Sequence, residues 1–438
     1  MHDDLRRRAL ESGKTVSKKA QSRISSRAST APTSRTHSRA VSRHGSDDED
    51  GDLSDSTNWS VNSIDDMLAT DLPEDATEAW KQDLTDRIEE IIDRKRSSAQ
   101  GRETTLTAYT HYLMSHYAFD QIKHKTSELF PALMKSIKVD NTEKEICLAL
   151  RAIALTIITV PSETAYDGLF QPLKRTYSDS EYPAVKATAI HTLSTAAVYG
   201  GAGDDEIGDV MDDLLEIIES DGNSIEAADN GEVVAAACQA WGFLATSLED
   251  LEEKTETAMD AFVEQLESSD TKVQVASGEN IALIYEKSHT PRETDDGPVS
   301  SDDEDEMAAE EARFVKRYDV YRQNNQLEHT LRQLATESSK RIAKKDRKTL
   351  HTNFSDILNT VQHPALGPRY STARDENGRI YGSRMTVRVH KSGTMKIDKW
   401  WKLHRLQALR RVLGGGFVVH YEDNEVVFES LPIIIQAD

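Results

Sequence analysis

Apolar residues between about Pro73 and Ser288 recur at spacings of three and four, which is the period of an amphipathic helix. One stripe consists of Ile146, Ala149, Leu150, Ile153, Ala154 and Ile157. Others consist of Val185, Ala189, Leu193 and Ala196, and of Val233, Ala237, Ala240 and Leu244. The pattern predicts a series of helices, each with one face for packing.

Four of these helical segments begin alike, with an Asp and small polar residues ahead of an apolar run. The leading acids are Asp140, Asp179, Asp229 and Asp270, separated by 39, 50 and 41 residues. This spacing is typical of HEAT or armadillo repeats, which run at roughly 40–47 residues per unit. We expect side-chain oxygens at these positions to cap the helix starts. An irregular helical bundle is the alternative.

The pattern changes after Ser288. The stretch His289–Asp305 predicts a loop, Met307–Arg341 a long polar helix, and the segment from Lys344 a second helix that stops before the Pro- and Gly-containing stretch His363–Gly382. Further on, MTVRVHK, FVVHY and EVVFESL predict short strands, while KIDKWWKLHRLQALRRVLGGG predicts a helix ended by glycines. These elements together predict a small α+β module.

Composition adds a disordered arm at the N-terminus. Up to about Asp71 the chain is rich in Ser, Arg and Asp and has almost no apolar periodicity to offset the entropy of ordering. The predicted fold is therefore mainly α, a HEAT/armadillo-like array with an arm before it and the α+β module after it. The predicted divisions are a disordered arm (1–72), the helical repeat domain (73–290), an acidic loop (291–306), a basic helical extension (307–362) and the α+β module (363–438).

Charge is strongly segregated along a chain whose net charge is −23. The stretch 200–310 has 4 basic and 32 acidic residues, whereas 313–411 has 23 basic and 8 acidic ones. Only the basic blocks are therefore candidates for binding nucleic acid.

The sequence carries no recognisable catalytic chemistry. It has no HExxH, GxSxG, GxxxxGK[ST] or CxxC motif, and the glycines at 199–205 and 414–416 fit helix ends better than phosphate loops. His111 and His116 lie off a common helical face, and Cys147 and Cys238 lie in apolar runs, so we expect two buried thiols without metal. We expect a non-enzymatic, cytoplasmic protein, with the nucleus as a further candidate location, and no cofactor, small-molecule substrate or membrane partner.

The candidate binding site is a dense basic cluster between two predicted helices. It consists of Lys340, Arg341, Lys344, Lys345, Arg347 and Lys348. Such clusters bind phosphate backbones through charge neutralisation and counterion release. A second basic group, Lys402, Arg405, Arg410 and Arg411, follows Trp400 and Trp401. The alternative for these cations is that they only solvate a helix. For Trp400 and Trp401 we expect a place in the core.

Three blocks of the chain resemble the interferon-related developmental regulator family. They are VQVASGENIALIYEKS, LRQLATESSKRIAKKDRKTLHTNFSDILNTVQ and KIDKWWKLHRLQALRRVLGGGFVVHYEDNEVVFESLP, in that order. The resemblance implies a non-enzymatic helical-repeat protein. It also implies two activities, binding to non-translating ribosomes that are held inactive and association with nuclear corepressor and deacetylase assemblies.

The chain ends at IIIQAD, whereas the family pattern continues into a basic helical tail that enters the ribosome. We therefore expect a fungal-type or divergent member in which a mechanism based on that tail does not apply. The leading hypothesis is a factor that binds ribosomal RNA and restrains translation, with the repeats as scaffold. The alternative is a transcriptional coregulator whose repeat groove binds corepressor or histone-related proteins.

Overall fold

A computed structural model describes residues 79–94, 97–138, 141–292, 312–336, 344–368, 370–374, 380–383, 386–388 and 394–432. The predicted arm at 1–72 and most of the predicted acidic loop at 291–306 lie outside these residues. The helices are α1 Ala79–Asp93, α2 Ala99–Ser115, α3 Phe119–Ile122, α4 Thr126–Ile137, α5 Glu143–Thr159, α6 Ala165–Asp179, α7 Pro183–Tyr199, α8 Asp204–Glu219, α9 Gly231–Ala245, α10 Glu252–Gln265, α11 Thr271–Lys287, α12 Asn324–Thr336, α13 Lys344–Gln362, α14 Trp400–Leu413, α15 Phe417–Asp423 and α16 Glu425–Ser430.

The short strands form three antiparallel pairs. They are β1 His289–Pro291 with β2 Phe314–Lys316, β3 Tyr370–Arg374 with β4 Ile380–Ser383, and β5 Thr386–Arg388 with β6 Thr394–Lys396. The mainly α prediction is therefore confirmed, with the few strands of the described residues placed after α11.

Helices α1 to α13, apart from the short α3, pack as successive antiparallel pairs: α1 with α2, α4 with α5, α6 with α7, α8 with α9, α10 with α11, and α12 with α13. The second helix of each pair also contacts the second helix of the next, so α2, α5, α7, α9, α11 and α13 form one inner layer. The first helices form an outer layer. This stacking of helix pairs is the arrangement that HEAT-type repeats predict.

Neighbouring inner-layer helices run parallel. Tyr109 of α2 hydrogen-bonds Thr156 of α5, far along both helices, while Arg102 and Glu145 pair near their starts. The rings of Tyr199 and Phe243 meet where α7 and α9 end. The starts of all inner-layer helices therefore lie along one edge of the array, which we call the N-terminal edge.

The C-terminal segment, residues 394–432, covers the inner layer. Helix α14 packs on α11, α9 and α5, and the turn and helix that follow reach α2. The imidazole of His420 hydrogen-bonds the Leu113 carbonyl at 2.6 Å, and the Asn424 amide donates to the Ile158 carbonyl at 2.9 Å. The inner helices thus lie between two layers, and every residue from Glu145 to Thr159 is buried.

Oxygen side chains cap the starts of α2, α5, α9, α11 and α16, but only one of the four predicted aspartates does this. Asp270 accepts from the Lys272 amide and caps α11, whereas Asp140 lies outside the described residues. Asp179 is the last residue of α6, and Asp229 lies in a left-handed turn one residue before the cap Asn230. The neighbouring small polar residues supply the capping oxygen in α5 and α9, because Thr and Asn serve as well as Asp.

Two predictions for the region after α11 are wrong in part. The stretch that begins at His289 does not start as a loop, because His289–Pro291 pairs with Phe314–Lys316. The long helix predicted from Met307 is therefore interrupted by β2, and helix α12 begins only at Asn324. The predicted end of the helical region before His363 is confirmed, since α13 ends at Gln362.

The predicted strands FVVHY and EVVFESL are helices α15 and α16. Phe417, His420 and Tyr421 are buried together, at spacings of three and four, against the inner layer. Asn424 lies between the two helices, and its side chain caps α16. β-branched residues favoured a strand in isolation, and burial of one helical face outweighs that preference. The strand predicted in MTVRVHK is confirmed as β5.

Candidate functional site

The structure brings part of the predicted basic cluster to the N-terminal edge. Lys340 and Arg341 lie outside the described residues, and Lys344, Lys345 and Lys348 lie at the start of α13, where only the backbone is described. Arg347 is half-buried in the same turn. Four of the five residues from 344 to 348 in α13 are cations.

The second predicted basic group has structural partners within the protein. The guanidinium of Arg405 donates to the Thr246 carbonyl at 3.0 Å and lies 5.2 Å from the centre of the half-buried Trp401 ring. The Arg410 guanidinium lies 5.7 Å from the centre of the Phe417 ring. The amine of Lys402 bonds Asp398 at 2.6 Å. These side chains hold the C-terminal segment in place.

Trp400 belongs to the core, as expected. Its indole NH donates to the Thr360 hydroxyl at 2.7 Å, which ties α14 to α13. The helix start here has no side-chain cap of its own. Instead, the buried carboxylate of Glu286 in α11 accepts the backbone amides of Trp400 at 2.8 Å and Trp401 at 3.2 Å. An inner-layer helix therefore caps the helix that covers it.

A buried polar layer lies under the middle of α14. The Gln407 amide donates to the Glu279 carboxylate at 3.1 Å, and the Arg411 guanidinium is close enough to interact with the same carboxylate. Burial raises the pKa of Glu279 to about 7 and lowers the pKa of Arg411 to about 10. The pKa of His404, whose ring contacts the Glu279 carbonyl, falls to about 4 for the same reason. Such a layer fixes the register of the segment at the cost of desolvating charge.

Cys147 and Cys238 are buried free thiols, as predicted, and burial raises the pKa of each to about 12. Within the described ranges, no three His, Cys, Asp or Glu side chains are placed to hold a metal ion. The helices seen in those ranges are all too short or too polar to cross a membrane.

A sequence profile of the interferon-related developmental regulator family matches residues 51–362. The chain belongs to this family. An uncharacterised protein of Schizosaccharomyces pombe is 31% identical over 352 residues, which cover 79% of this chain and 73% of that protein. Interferon-related developmental regulator 1 of Sus scrofa is 25% identical, over 89% of this chain and 82% of its own. Interferon-related developmental regulator 2 of Mus musculus is 24% identical, with 82% and 76% covered.

The residues that join the array to the C-terminal segment do not stand out in the sequence pattern. Glu279 and Glu286 lie in the family-like block VQVASGENIALIYEKS, and both are buried in α11. Charged residues are almost never fully buried unless they are paired. A helix with apolar residues on all sides is expected to be buried, so two acids within such a helix were the available signal of buried partners. Their partners are more than 110 residues away and could not be identified from the pattern.

Proposed function

We propose that the protein is a non-enzymatic regulator of gene expression that binds non-translating ribosomes and restrains translation. The proposed RNA-facing surface is the basic cluster Lys340, Arg341, Lys344, Lys345, Arg347 and Lys348, and ribosomal RNA is the partner. Family membership supports a regulatory role, since the animal relatives are named developmental regulators.

The observation that carries the proposal is the concentration of cations at the start of α13. A dense run of like charges repels itself, whereas an anion bound there would neutralise the side-chain charges and release counterions. A phosphate backbone is such an anion. The covered inner layer supports the same choice over the coregulator hypothesis, because the C-terminal segment occupies the face on which a groove-binding protein would dock.

The test is sedimentation with ribosomes over a series of salt concentrations. We expect Lys344→Glu/Lys345→Glu/Lys348→Glu to weaken association strongly and to flatten the dependence on salt. Each phosphate contact contributes roughly 0.7 to 0.9 to the log–log slope, so three lost contacts should reduce it by about 2 to 3.

The matched control is Lys135→Glu/Lys138→Glu/Arg175→Glu, which reverses three exposed charges on or beside α4 and α6. It should sediment with ribosomes like the wild type at every salt concentration. If both triple variants behave like the wild type and keep their helical circular dichroism, the basic cluster is not the binding site.

The acidic outer layer favours a second candidate function, a nuclear coregulator that binds basic proteins. Helices α8 and α10 carry 13 acidic residues and one Lys. A Lys-rich histone-tail peptide is the appropriate probe. Asp212→Asn/Glu216→Gln/Glu256→Gln should weaken its binding if this function is correct, and ribosome sedimentation of the same variant should stay unchanged.

A further inference from the structure

The last two helices of the C-terminal segment, α15 and α16, form a small unit that follows a run of three glycines. We call residues 417–431 the terminal helix pair. Gly414–Gly416 make one 3₁₀ turn between α14 and this pair. Gly414 is left-handed, with φ +52°, in a conformation that residues with a Cβ rarely adopt. The terminal helix pair is therefore joined to α14 by the residue type with the greatest backbone freedom.

The terminal helix pair is held on the array by polar bonds to the ends of inner-layer helices. The His420 imidazole bonds the Leu113 carbonyl at 2.6 Å, and the Asn424 amide donates to the Ile158 carbonyl at 2.9 Å. Both carbonyls lie in the last turn of their helices, α2 and α5, where carbonyls have no partner within the helix. The histidine bond is thus one of the contacts that fix the pair in its place.

This bond also fixes the protonation state of His420. A carbonyl can only accept, so Nε2 carries the hydrogen and Nδ1 carries none in the neutral ring. Nδ1 is buried and has no hydrogen-bond partner among the described residues. A proton on Nδ1 would therefore create a buried charged donor without an acceptor, which is unfavourable. The docked position accommodates the neutral ring and excludes the charged one.

A second histidine faces His420 from α2. His116 lies close enough for its charge to repel a charge on His420, and burial lowers the pKa of both rings. For His420 the pKa falls to about 4, because burial outweighs the Leu113 carbonyl, which favours the charged form. The other charged and titratable groups on the surrounding elements are Tyr117 of α2, Asp120 of α3, Arg410 of α14, Glu422 and Asp423 of α15 and Glu425 of α16. The acids among them are exposed or half-buried, so water weakens their attraction for a charged ring.

We propose that His420 and His116 form a proton-operated latch, which releases the terminal helix pair from the array in mildly acidic solution. A proton taken up from water at Nδ1 of His420 puts an unpaired charge in the interface, and the pair avoids that cost by turning away about the three glycines. Helix α14 stays in place, because Trp400 and Gln407 hold it through separate bonds. Release uncovers the ends of α2 and α5.

The sign of the effect follows from the two states of His420. In the released pair the ring is in water, where a histidine has a pKa of about 6.5. Below that pH the released state takes up protons that the docked state excludes, so docking weakens as the pH falls. From pH 7 to pH 5 we expect the released fraction to rise at least about tenfold.

Hydrogen exchange of the full chain, followed by mass spectrometry at pH 7 and pH 5, measures this fraction. After correction for the intrinsic exchange rates, the amides of residues 417–430 should lose protection at least about tenfold at pH 5. Because only the terminal helix pair opens, this exchange should not depend on urea below the unfolding range, whereas exchange of α9 should follow global unfolding. Exchange of the pair that follows urea in the same way as α9 would overturn the proposal.

His420→Gln tests the latch itself. Its side-chain amide can still donate to the Leu113 carbonyl but cannot gain a proton, so the acid response should be largely lost. His124→Gln, at an exposed position, is the matched control and should respond like the wild type. An equal acid response in His420→Gln and the wild type would contradict the proposal. If His420→Gln is already released at pH 7, His116→Gln decides: it should reduce the acid response, and an unchanged response would sink the latch.

Two glycine variants test the docking without changing a titratable group. A Cβ at Gly416 would lie 1.7 Å from the carbonyl oxygen of Met114 in α2, whereas a Cβ at Gly415 would have nothing within 4 Å. Gly416→Ala should therefore release the terminal helix pair at pH 7 and lose most of the response to acid. Gly415→Ala should dock like the wild type and keep the response. Equal protection of residues 417–430 in the two variants at pH 7 would show that docking on α2 does not hold the pair.

Discussion

The outer and inner layers of the array are built from helices of similar length that meet different surroundings. In the outer helix α8, the buried side chains form one face and eight acidic residues occupy the rest. In the inner helix α5, no residue between Glu145 and Thr159 is exposed. Polar groups in the inner layer therefore need partners inside the protein: Lys186 of α7, for example, donates to three backbone carbonyls. The difference teaches that the C-terminal segment completes the core.

The largest expected effect comes from removing the main contact between this segment and the inner layer. Trp400→Ala deletes a fully buried indole and leaves the Thr360 hydroxyl without its donor. We expect a loss of about 3–5 kcal/mol in unfolding free energy, measured by urea denaturation. Tyr182→Ala, at an exposed position, should change it by less than about 0.5 kcal/mol. Similar losses for both would mean that the segment does not contribute to the core.

Ion pairs sharpen the comparison between the layers. Glu145→Gln removes the buried charge that holds Arg94 and Arg102, and we expect a loss of about 3 kcal/mol. Asp213→Asn breaks a pair of similar geometry with Lys174, but this pair lies in the partly exposed outer layer and should contribute less than about 1 kcal/mol. Urea denaturation of the two variants measures both values. Equal losses would contradict the assignment of the layers.

The pH dependence of stability should come from the inner interface. Burial lowers the pKa of His404 and His420 to about 4, so below pH 6.5 the unfolded chain binds protons that the folded chain excludes. Each histidine should lower the unfolding free energy by about 2 kcal/mol between pH 7 and pH 5. Glu279 acts in the opposite direction, because its pKa is raised to about 7 and the folded chain therefore binds its proton more tightly than the unfolded chain. It should raise the unfolding free energy by about 2 kcal/mol over the same pH range.

For these three groups together we expect a net loss of about 1–2 kcal/mol in unfolding free energy from pH 7 to pH 5, measured by urea denaturation at each pH. Glu279→Gln should make the acid loss steeper, because the opposing contribution disappears. His124→Gln, at an exposed position, should leave the profile unchanged. An unchanged profile in Glu279→Gln would contradict the proposed balance.

The smallest effect is expected for the cap that α11 supplies to α14. Glu286→Gln keeps one amide oxygen as an acceptor and loses the second acceptor and the charge near the helix start. The loss should be about 1 kcal/mol, the usual contribution of an N-cap. Glu286→Ala removes both acceptors and should lose more, which thermal unfolding of the two variants can measure. Equal stability of Glu286→Ala and the wild type would show that the cap is dispensable.

The sequence by itself determined the series of helices, the buried cysteines and the helical period of α14, because these depend on local spacing of apolar residues. Periodicity could not reveal that FVVHY would be helical. Phe417, His420 and Tyr421 form one buried helical face, and that face is stabilised only by packing against the inner layer. The sequence also located the basic cluster, because a dense run of cations is visible in one dimension.

Only the tertiary structure decided which charges are solvated and which are buried. Arg405, Arg410 and Arg411 look like a binding surface in the sequence, and the fold gives them partners in Thr246, the Phe417 ring and Glu279. Glu279 and Glu286 look like ordinary helix acids until α14 lies across them. Local sequence fixes where a helix can form, but the partner of a buried charge lies in whichever distant segment excludes water from it, and that depends on the whole chain.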